Sequence, residues 1–523
     1  MSHSWIRWSI LLWTLLLAGC VRDQPQVIVV TATFLPATQA ALAPSTQVAP
    51  FASMVPLATL SLSNGADAGP VMAAEHIVQP GDTLFGIAQK YGLTLASLMA
   101  VNPSINPDVL SVGQIIALPR TPTAQTPALL LLPDNRLVRG PGSGSLDVSA
   151  YVVALPGYLK TSSDRVNFNQ ANGAGQPRLL TGAQVVDEVA LEYSVDPRLL
   201  LAVLEYRAGW LTNPNPLEAL KTYPLISQEQ SVGFDRAGLY KQLSWAANEL
   251  NRGYYGWKSR GASLIEFKDG TRLQYAPTLN AGTVALQYWL SLTQDAINWQ
   301  NQVGEGGFVA VYRGLFGDPF AGAFELVPNN LTQPLLTLPF ASGEVWYYTG
   351  GPHGGWGSGS AWAGIDFAPP DDFSASGSFC TTSQYAVRAV APGIVARSAD
   401  GAFILDLDGD GDETTGWTIL YLHMDQRLPT GTRVNTGDVV GRAACAGGFS
   451  TATHLHMARR YNGEWIPADC ATCRPDSQRQ AFTLGGWVVE GIIGQEYQGF
   501  LKQGTTTLQA EQSRLLPINH ISW

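Results

Sequence analysis

The sequence predicts a multidomain chain: a small α+β unit of βααβ order, a mainly-α middle region and a mainly-β antiparallel C-terminal domain. Three observations predict it. At 523 residues the chain exceeds what one hydrophobic core holds. In its central part apolar residues recur at helical spacing, as at Val185, Val189, Ala190 and Leu191. With 15 Trp and 54 Gly, the composition suits a loop-rich extracellular β domain better than a cytosolic helical enzyme. A net charge of −10 with 14% charged residues argues against nucleic acid as a partner.

Residues 1–20 read as an export leader. Arg7 precedes the apolar run Ile10 to Leu17, which is shorter than the roughly 20 residues of a spanning helix. Leu17-Ala18-Gly19-Cys20 resembles the bacterial lipobox, which implies lipidation of Cys20 and a membrane-anchored lipoprotein at the cell envelope. Residues 21–75 form a tether, uncharged over 24–66 and rich in Ala, Thr, Pro and Ser. As a flexible coil it spans roughly 40 Å.

Residues 76–119 form the first compact unit. His76-Ile77-Val78 reads as a strand, Asp82 as the N-cap of a helix Leu84–Tyr91, Leu95–Val101 as a second helix and Gly113–Pro119 as the closing strand. This order resembles LysM modules, which bind N-acetylglucosamine-containing glycans such as peptidoglycan. The resemblance implies a glycan surface at Gly81, Asp82, Thr83, Leu84, Asn102, Pro103 and Ile105.

A Pro/Thr-rich joint opens the region 120–338. Asp196-Pro197 places an N-cap and an N1 proline before Leu199–Tyr206, and further helices are expected at Gly238–Asn251 and Asn280–Leu292. Tyr193 to Leu204 is similar to the first helices of lytic transglycosylases, which implies a lysozyme-like shell. That family's acid is a Glu. Arg207 stands at its position here, and Glu205, two residues away, is rotated by about 200° on a helix. The expectation is therefore a shell without glycosidase chemistry, gripping glycan or spacing the terminal domain.

The terminal domain, 339–523, holds the chemistry. Four of the seven histidines fall between Gly351 and Arg459. His454 and His456 are spaced i, i+2 in a β-rich run, so both imidazoles enter one groove while Leu455 turns to the core. Tyr421-Leu422-His423 is a second β-rich run. Asp366 lies in the apolar strand Ala363–Phe367, where a carboxylate needs a partner and a metal is one. His, Asp and His are ligand types that hold a catalytic zinc with a position left open. Asp406, Asp408, Asp410 and Asp412 alternate with Gly409 and Gly411 in a candidate calcium loop, although Trp417 stands where the full loop has its Glu. The four cysteines here allow three pairings, of which we take Cys380–Cys445 and, for closeness in sequence, Cys470–Cys473. The tail beyond Asp476 reads as further strands packed on the same sheet.

His454-Leu455-His456, Tyr421-Leu422-His423, Gly364-Ile365-Asp366-Phe367 and Ala391-Pro392-Gly393 together resemble the lysostaphin/LytM-type zinc endopeptidases of peptidoglycan. That family's usual first ligand stands four residues before the Asp, where this chain has Trp362. Its β-lytic branch places the first His further upstream, and His353 matches that placement. The resemblance implies one zinc held by His353, Asp366 and His456, with His423 and His454 as general base and oxyanion donor. Two other readings stay open: a non-catalytic lipoprotein that activates a cell-wall amidase, which Trp362 favours, and a protein that only binds peptidoglycan.

Overall fold

The computed structural model describes residues 75–523, except 80, 92, 94, 108, 120–123, 169–176, 232, 372–378 and 515. The leader, Cys20 and almost all of the tether lie outside the described residues. Among the described residues no helix is long and apolar enough to cross a membrane.

The first unit runs β1 (Glu75–Ile77), α1 (Leu84–Lys90), α2 (Leu95–Ala100) and β2 (Ile115–Ala117), with β1 and β2 antiparallel. Val78, Leu84, Ile87, Leu98, Ile116 and Leu118 fill its core. The expected Asp82 cap is corrected here. Thr83 precedes α1, and its Oγ1 accepts the Gly86 N–H at 2.9 Å. Asp82 is engaged elsewhere, accepting from His76 Nε2 and the Gln79 N–H, both at 2.7 Å. Asn102, expected on the glycan surface, is buried, with its amide bonded to Leu98 O, Ala117 O and Ala117 N. Leu84 also turns its side chain inward.

The middle region contains α3 (Val148–Ala154), hairpin β3–β4 (Ser163–Val166, Arg178–Thr181), α4 (Gly182–Tyr193) and α5 (Pro197–Ala208). After α6 (Glu218–Thr222) come α7 (Leu239–Ser259), hairpin β5–β6 (Leu264–Glu266, Arg272–Gln274), α8 (Ala281–Ser291), α9 (Ala296–Gln302) and α10 (Phe308–Phe316). Thr181 and Gln184 form a capping box on α4. Asp196 caps α5 through the Arg198 N–H with Pro197 in the first turn, and Gly209, at φ 65°, ends it. Helix α7 runs eight residues beyond its expected end, because Tyr254, Tyr255 and Trp257 keep its apolar face buried. Glu205 accepts from the Leu211 N–H and the Thr212 hydroxyl, while Arg207 lies over the Trp289 ring and donates to Thr293.

The terminal region is built on β7 (Trp346–His353), β8 (Gly364–Ala368), β9 (Ala386–Arg388), β10 (Gly393–Ala399), β11 (Ala402–Asp406) and β12 (Trp417–Leu422). There follow β13 (Met424–Asp425), β14 (Arg433–Val434), β15 (Val439–Ala443), β16 (Leu455–Tyr461) and β17 (Glu464–Ile466). The main sheet has the order β14-β10-β11-β12-β16-β8-β7-β22, with β22 at His520–Ile521 and β17 pairing β16. The tail packs on the main sheet as expected, with Leu484 and Val489 in the shared core. Strands β18 (Thr483–Leu484), β19 (Trp487–Ile492), β20 (Gln495–Gln503) and β21 (Thr506–Gln509) form their own sheet, and among the described tail residues only β22 pairs into the main one. The Gly485-Gly486 turn, with φ 57° and 83°, directs β18 into β19 and so closes the tail strands on one another.

Both faces of the main sheet are covered. Phe403, Leu405, Ile419, Tyr421, Leu455 and Met457 face a core shared with Leu484 and Val489 of the tail. Their neighbours Ile404, Leu420, Leu422 and Ala458 face the helices of the middle region in one continuous cluster. The two regions are therefore not separately cored. Charged pairs reinforce the junction. Glu413 is buried among Arg397 (3.0 Å), Arg460 (2.8 Å) and Arg139 of the middle region (3.5 Å). Burial alone would raise its pKa, but Arg397, then Arg460 and Arg139, hold it below the usual carboxylate range. Lys258 on α7 pairs with Glu464 on β17 at 2.8 Å. The first unit touches the tail hairpin, where Gln495 Nε2 donates to Gly81 O at 2.7 Å.

Glu413→Gln leaves the buried Arg460 and the half-buried Arg397 and Arg139 undercompensated, and is expected to cost about 3–5 kcal/mol in denaturant unfolding. Glu192 on α4, hydrogen-bonded by the Tyr240 hydroxyl at 2.7 Å, has its pKa pushed up by burial from 4.5 to about 8, with Glu188 and Asp400 adding to the rise and Arg397 opposing it. The folded chain keeps this proton where the unfolded chain releases it, so its contribution is full below pH 4.5 and is lost as the pH rises towards about 8. Glu192→Gln is expected to flatten that slope, and thermal unfolding at pH 5 and pH 8.5 reads the difference.

Candidate metal centre

The pairing of three strands sets the site. On β16, His456 stands opposite Asp366 of β8 on one side and Leu422 of β12 on the other. Cross-strand partners share a face, so imidazole and carboxylate emerge together. Gly350 of β7 stands opposite Asp366 from the far side, and a Cβ there would lie 2.4 Å from Asp366 Oδ2. Beyond Gly350 the register shifts, which carries His353 to a position opposite Gly364.

His353 Nε2 is 3.3 Å from Asp366 Oδ1, His456 Nδ1 is 3.1 Å from it, and the two ring nitrogens are 2.9 Å apart. All three residues are buried. The opposite ring nitrogens are occupied: His353 Nδ1 donates to Gly351 O at 2.8 Å and His456 Nε2 donates to Gly355 O at 3.1 Å. Both inward-facing nitrogens thus point lone pairs at the carboxylate, and a proton or a metal ion must separate these acceptors. The polar neighbourhood shows the same demand for positive charge. Burial pulls the His353 pKa down, but Asp366 more than offsets it and the net shift is upward. Burial would raise Asp366, yet His353 and His454 hold it well below the usual range. Three ligand atoms within 4.8 Å of one another, two imidazole nitrogens and one carboxylate oxygen, fit a zinc ion with its remaining position open.

Two further imidazoles flank the cluster. His454 Nδ1 donates to Ala452 O at 2.8 Å, which turns Nε2 inward, 3.7 Å from Asp366 Oδ1. His423 follows β12 in the left-handed conformation, φ 63°, and its ring lies 4.5 Å from that of His454. Its Nδ1 faces Ala446 O at 3.3 Å, leaving Nε2 with a lone pair. Burial, with His454 and His456 nearby, keeps its pKa well below the ordinary imidazole value, so it stays neutral.

The site opens into a cleft of about 1200 Å³ whose walls include Trp356, Phe379, Phe449 and Tyr497, with Tyr193 and Tyr240 from the middle region. Cys380 pairs with Cys445 beneath the loops of Phe379 and Phe449, and Cys470 pairs with Cys473. Trp362 faces a separate small cavity beside Pro352 and Arg260. Two residues that sequence reasoning did not single out belong to the site. Tyr497 stacks on the His353 ring at 4.3 Å, and Glu496 accepts the Gly354 N–H at 3.2 Å. Both come from β20, for which no local signal pointed to the cleft. At the other acidic cluster, Asp406 accepts from the Asp408 and Gly411 N–H groups, Asp410 from the Asp412 N–H and Asp412 from the Thr414 N–H. These carboxylates satisfy the hairpin's own backbone; oxygens of Asp406, Asp408 and Asp410 also lie within 4.8 Å of one another, but Asp408 and Asp410 are exposed and such groups commonly hold no ion.

Comparison with known proteins gives consistent results. Residues 76–119 match the LysM domain, and residues 130–330 match the family described as LasA, N-terminal domain. The match over the middle region does not confirm a lysozyme-like shell there. Protease LasA of Pseudomonas aeruginosa (strain UCBPP-PA14) is 26% identical over 325 residues, covering 57% of this chain and 71% of LasA. The secreted LysM effector ECP6 of Passalora fulva is 43% identical over 61 residues, 12% of this chain and 27% of ECP6. The solved structure of pseudoalterin, described as an M23 metalloprotease from the deep sea, aligns with a TM-score of 0.27 and 20% identity, over 34% of this chain and 96% of that one.

A Cβ at Gly364 would lie 2.3 Å from His456 Cε1. Gly364→Ala is therefore expected to push the ring away from Asp366 and to cost about 1–3 kcal/mol in denaturant unfolding.

Proposed function

We propose that this chain, a homologue of protease LasA that carries a LysM domain and a lysostaphin/LytM-type site, is a zinc metalloendopeptidase that hydrolyses peptide bonds of peptidoglycan. The observation that carries the reading is the convergence of His353 Nε2, Asp366 Oδ1 and His456 Nδ1, each imidazole fixed by a carbonyl behind it. Zinc held there would supply a Lewis acid for the scissile carbonyl and would lower the pKa of the attacking water to about 7.

The chain's own residues do the rest. His423, kept neutral by burial, accepts the proton of the attacking water at Nε2. His454, its Nδ1 committed to Ala452 O, turns Nε2 inward and, when protonated, donates to the oxygen on which charge develops. Trp356, Phe379 and Phe449 flank the bound peptide and exclude water from it. The LysM unit holds the glycan to which the peptide is attached, and Cys20, lipidated, ties the chain to the membrane. Trp362 favours a non-catalytic, amidase-activating role; the approach of His353 Nε2 to Asp366 Oδ1 at 3.3 Å supports the catalytic reading instead.

The test uses the full chain. Metal analysis is expected to find about one zinc per chain, and muropeptide cleavage is expected to stop on chelation and return with zinc. His353→Ala is expected to lose both. Cleavage that persists without metal would sink the proposal.

A further inference from the structure

The loop between β7 and β8 joins two of the three ligands and touches the third. Its Gly355 carbonyl receives His456 Nε2–H, and its Gly354 N–H reaches Glu496. Gly354, Gly355, Gly357 and Gly359 leave it little conformational preference of its own, so holding it still costs backbone entropy that outside contacts must offset. Those contacts come from the middle region. Asn248 Oδ1 on α7 accepts the Gly359 N–H at 2.8 Å, and Arg252 donates to the Ser358 hydroxyl at 2.8 Å. Arg260, just past the end of α7, donates to Gly359 O at 3.0 Å and Ser360 O at 2.9 Å. The fit leaves no slack, since a Cβ on Gly359 would lie 1.8 Å from Asn248 O and one on Gly357 2.7 Å from Asn248 Oδ1. Within the loop, Ser360 Oγ accepts the Trp356 N–H at 3.2 Å and donates to Gly357 O at 3.0 Å, tying the held end to the end that carries Gly355.

We infer that Asn248 and Arg260 are positioning residues of the metal site: they hold the glycine loop so that the Gly355 carbonyl keeps His456 turned with Nδ1 towards Asp366. The middle region then belongs to the machinery that binds the metal. The inference rests on the zinc reading of His353, Asp366 and His456. Hydrogen-bond partners behind a ligating imidazole set its orientation and basicity, and losing one lowers metal affinity by about 10–100-fold.

The experiment measures zinc affinity of the full chain by chelator competition, alongside the absorption of the Co²⁺-substituted protein and thermal unfolding. Asn248→Ala and Arg260→Ala are expected to bind zinc about 10–100-fold more weakly and to shift the Co²⁺ bands. Arg260→Lys, which keeps a donor, is expected to recover part of the loss. Lys241→Ala, on the same helix but paired outward with Asp235, is expected to match the wild type. Arg260 is half-buried and bonds several carbonyls, so if its alanine variant unfolds, Asn248→Ala decides. Folded variants with wild-type zinc affinity overturn this inference alone. A wild-type chain that binds no zinc overturns the metal reading and this inference with it.

Discussion

A carboxylate buried in a β-sheet is the constraint on which the rest depends. Asp366 is 8% exposed, in a strand whose other residues are apolar. An unpaired charge there would cost several kcal/mol or would give up its ionisation. The chain instead surrounds it with His353, His454 and His456. The space for them comes from Gly350 and Gly364, where any side chain would strike the carboxylate or the His456 ring. The functional geometry and the electrostatic compensation of Asp366 are thus the same contacts. A cation held at their centre would complete the compensation.

The same sheet explains why the middle region cannot be a loose spacer. Over Ala402–Leu405, Ile419–Leu422 and Leu455–Ala458 the apolar residues of β11, β12 and β16 alternate between the tail side and the helices. A sheet apolar on both faces needs two covers. Helices α4 and α7 supply one, and the Glu413 and Glu464 ion pairs lock it in register. His456 and Asp366 emerge on that helical side, so the cleft is the part of the face the helices leave open, and Tyr193 and Tyr240 stand at its edge.

What was legible in the sequence was local or carried by rare residues. The i, i+2 spacing of His454 and His456 needs only strand periodicity to place two rings in one groove. The Asp196-Pro197 start of α5 needs only capping chemistry. Where a neighbour of the same kind competed, the reading slipped by one residue, as with Asp82 and Thr83, because His76 draws Asp82 away from the helix. Tyr497, Glu496, Asn248 and Arg260 were invisible for a different reason. Each acts across a long stretch of sequence, and nothing around it departs from an ordinary strand or helix. The tail was read as strands packed on the main sheet, and it does pack there; that these strands hydrogen-bond among themselves is what strand pattern does not specify.

The absence of a histidine at Trp362 shows how far sequence offset can mislead about a metal site. A ligand is required at a point in space, roughly 2.0–2.2 Å from the ion for nitrogen or oxygen, and not at a fixed distance along the chain. Between β7 and β8 the register shifts twice, first between Tyr348 and Gly350 and again before His353. Those shifts turn the end of β7 so that His353 faces Asp366 across the ladder, while Trp362 points to the other side of the loop. Moving the ligand upstream lengthens the segment between it and Asp366, and that segment is the glycine loop. A ligand on a long flexible connection is held less tightly by its own chain than one four residues away. The stacked Tyr497, the Glu496 carboxylate and the α7 side chains all bear on this one connection, and together they supply the rigidity that a shorter one would have provided.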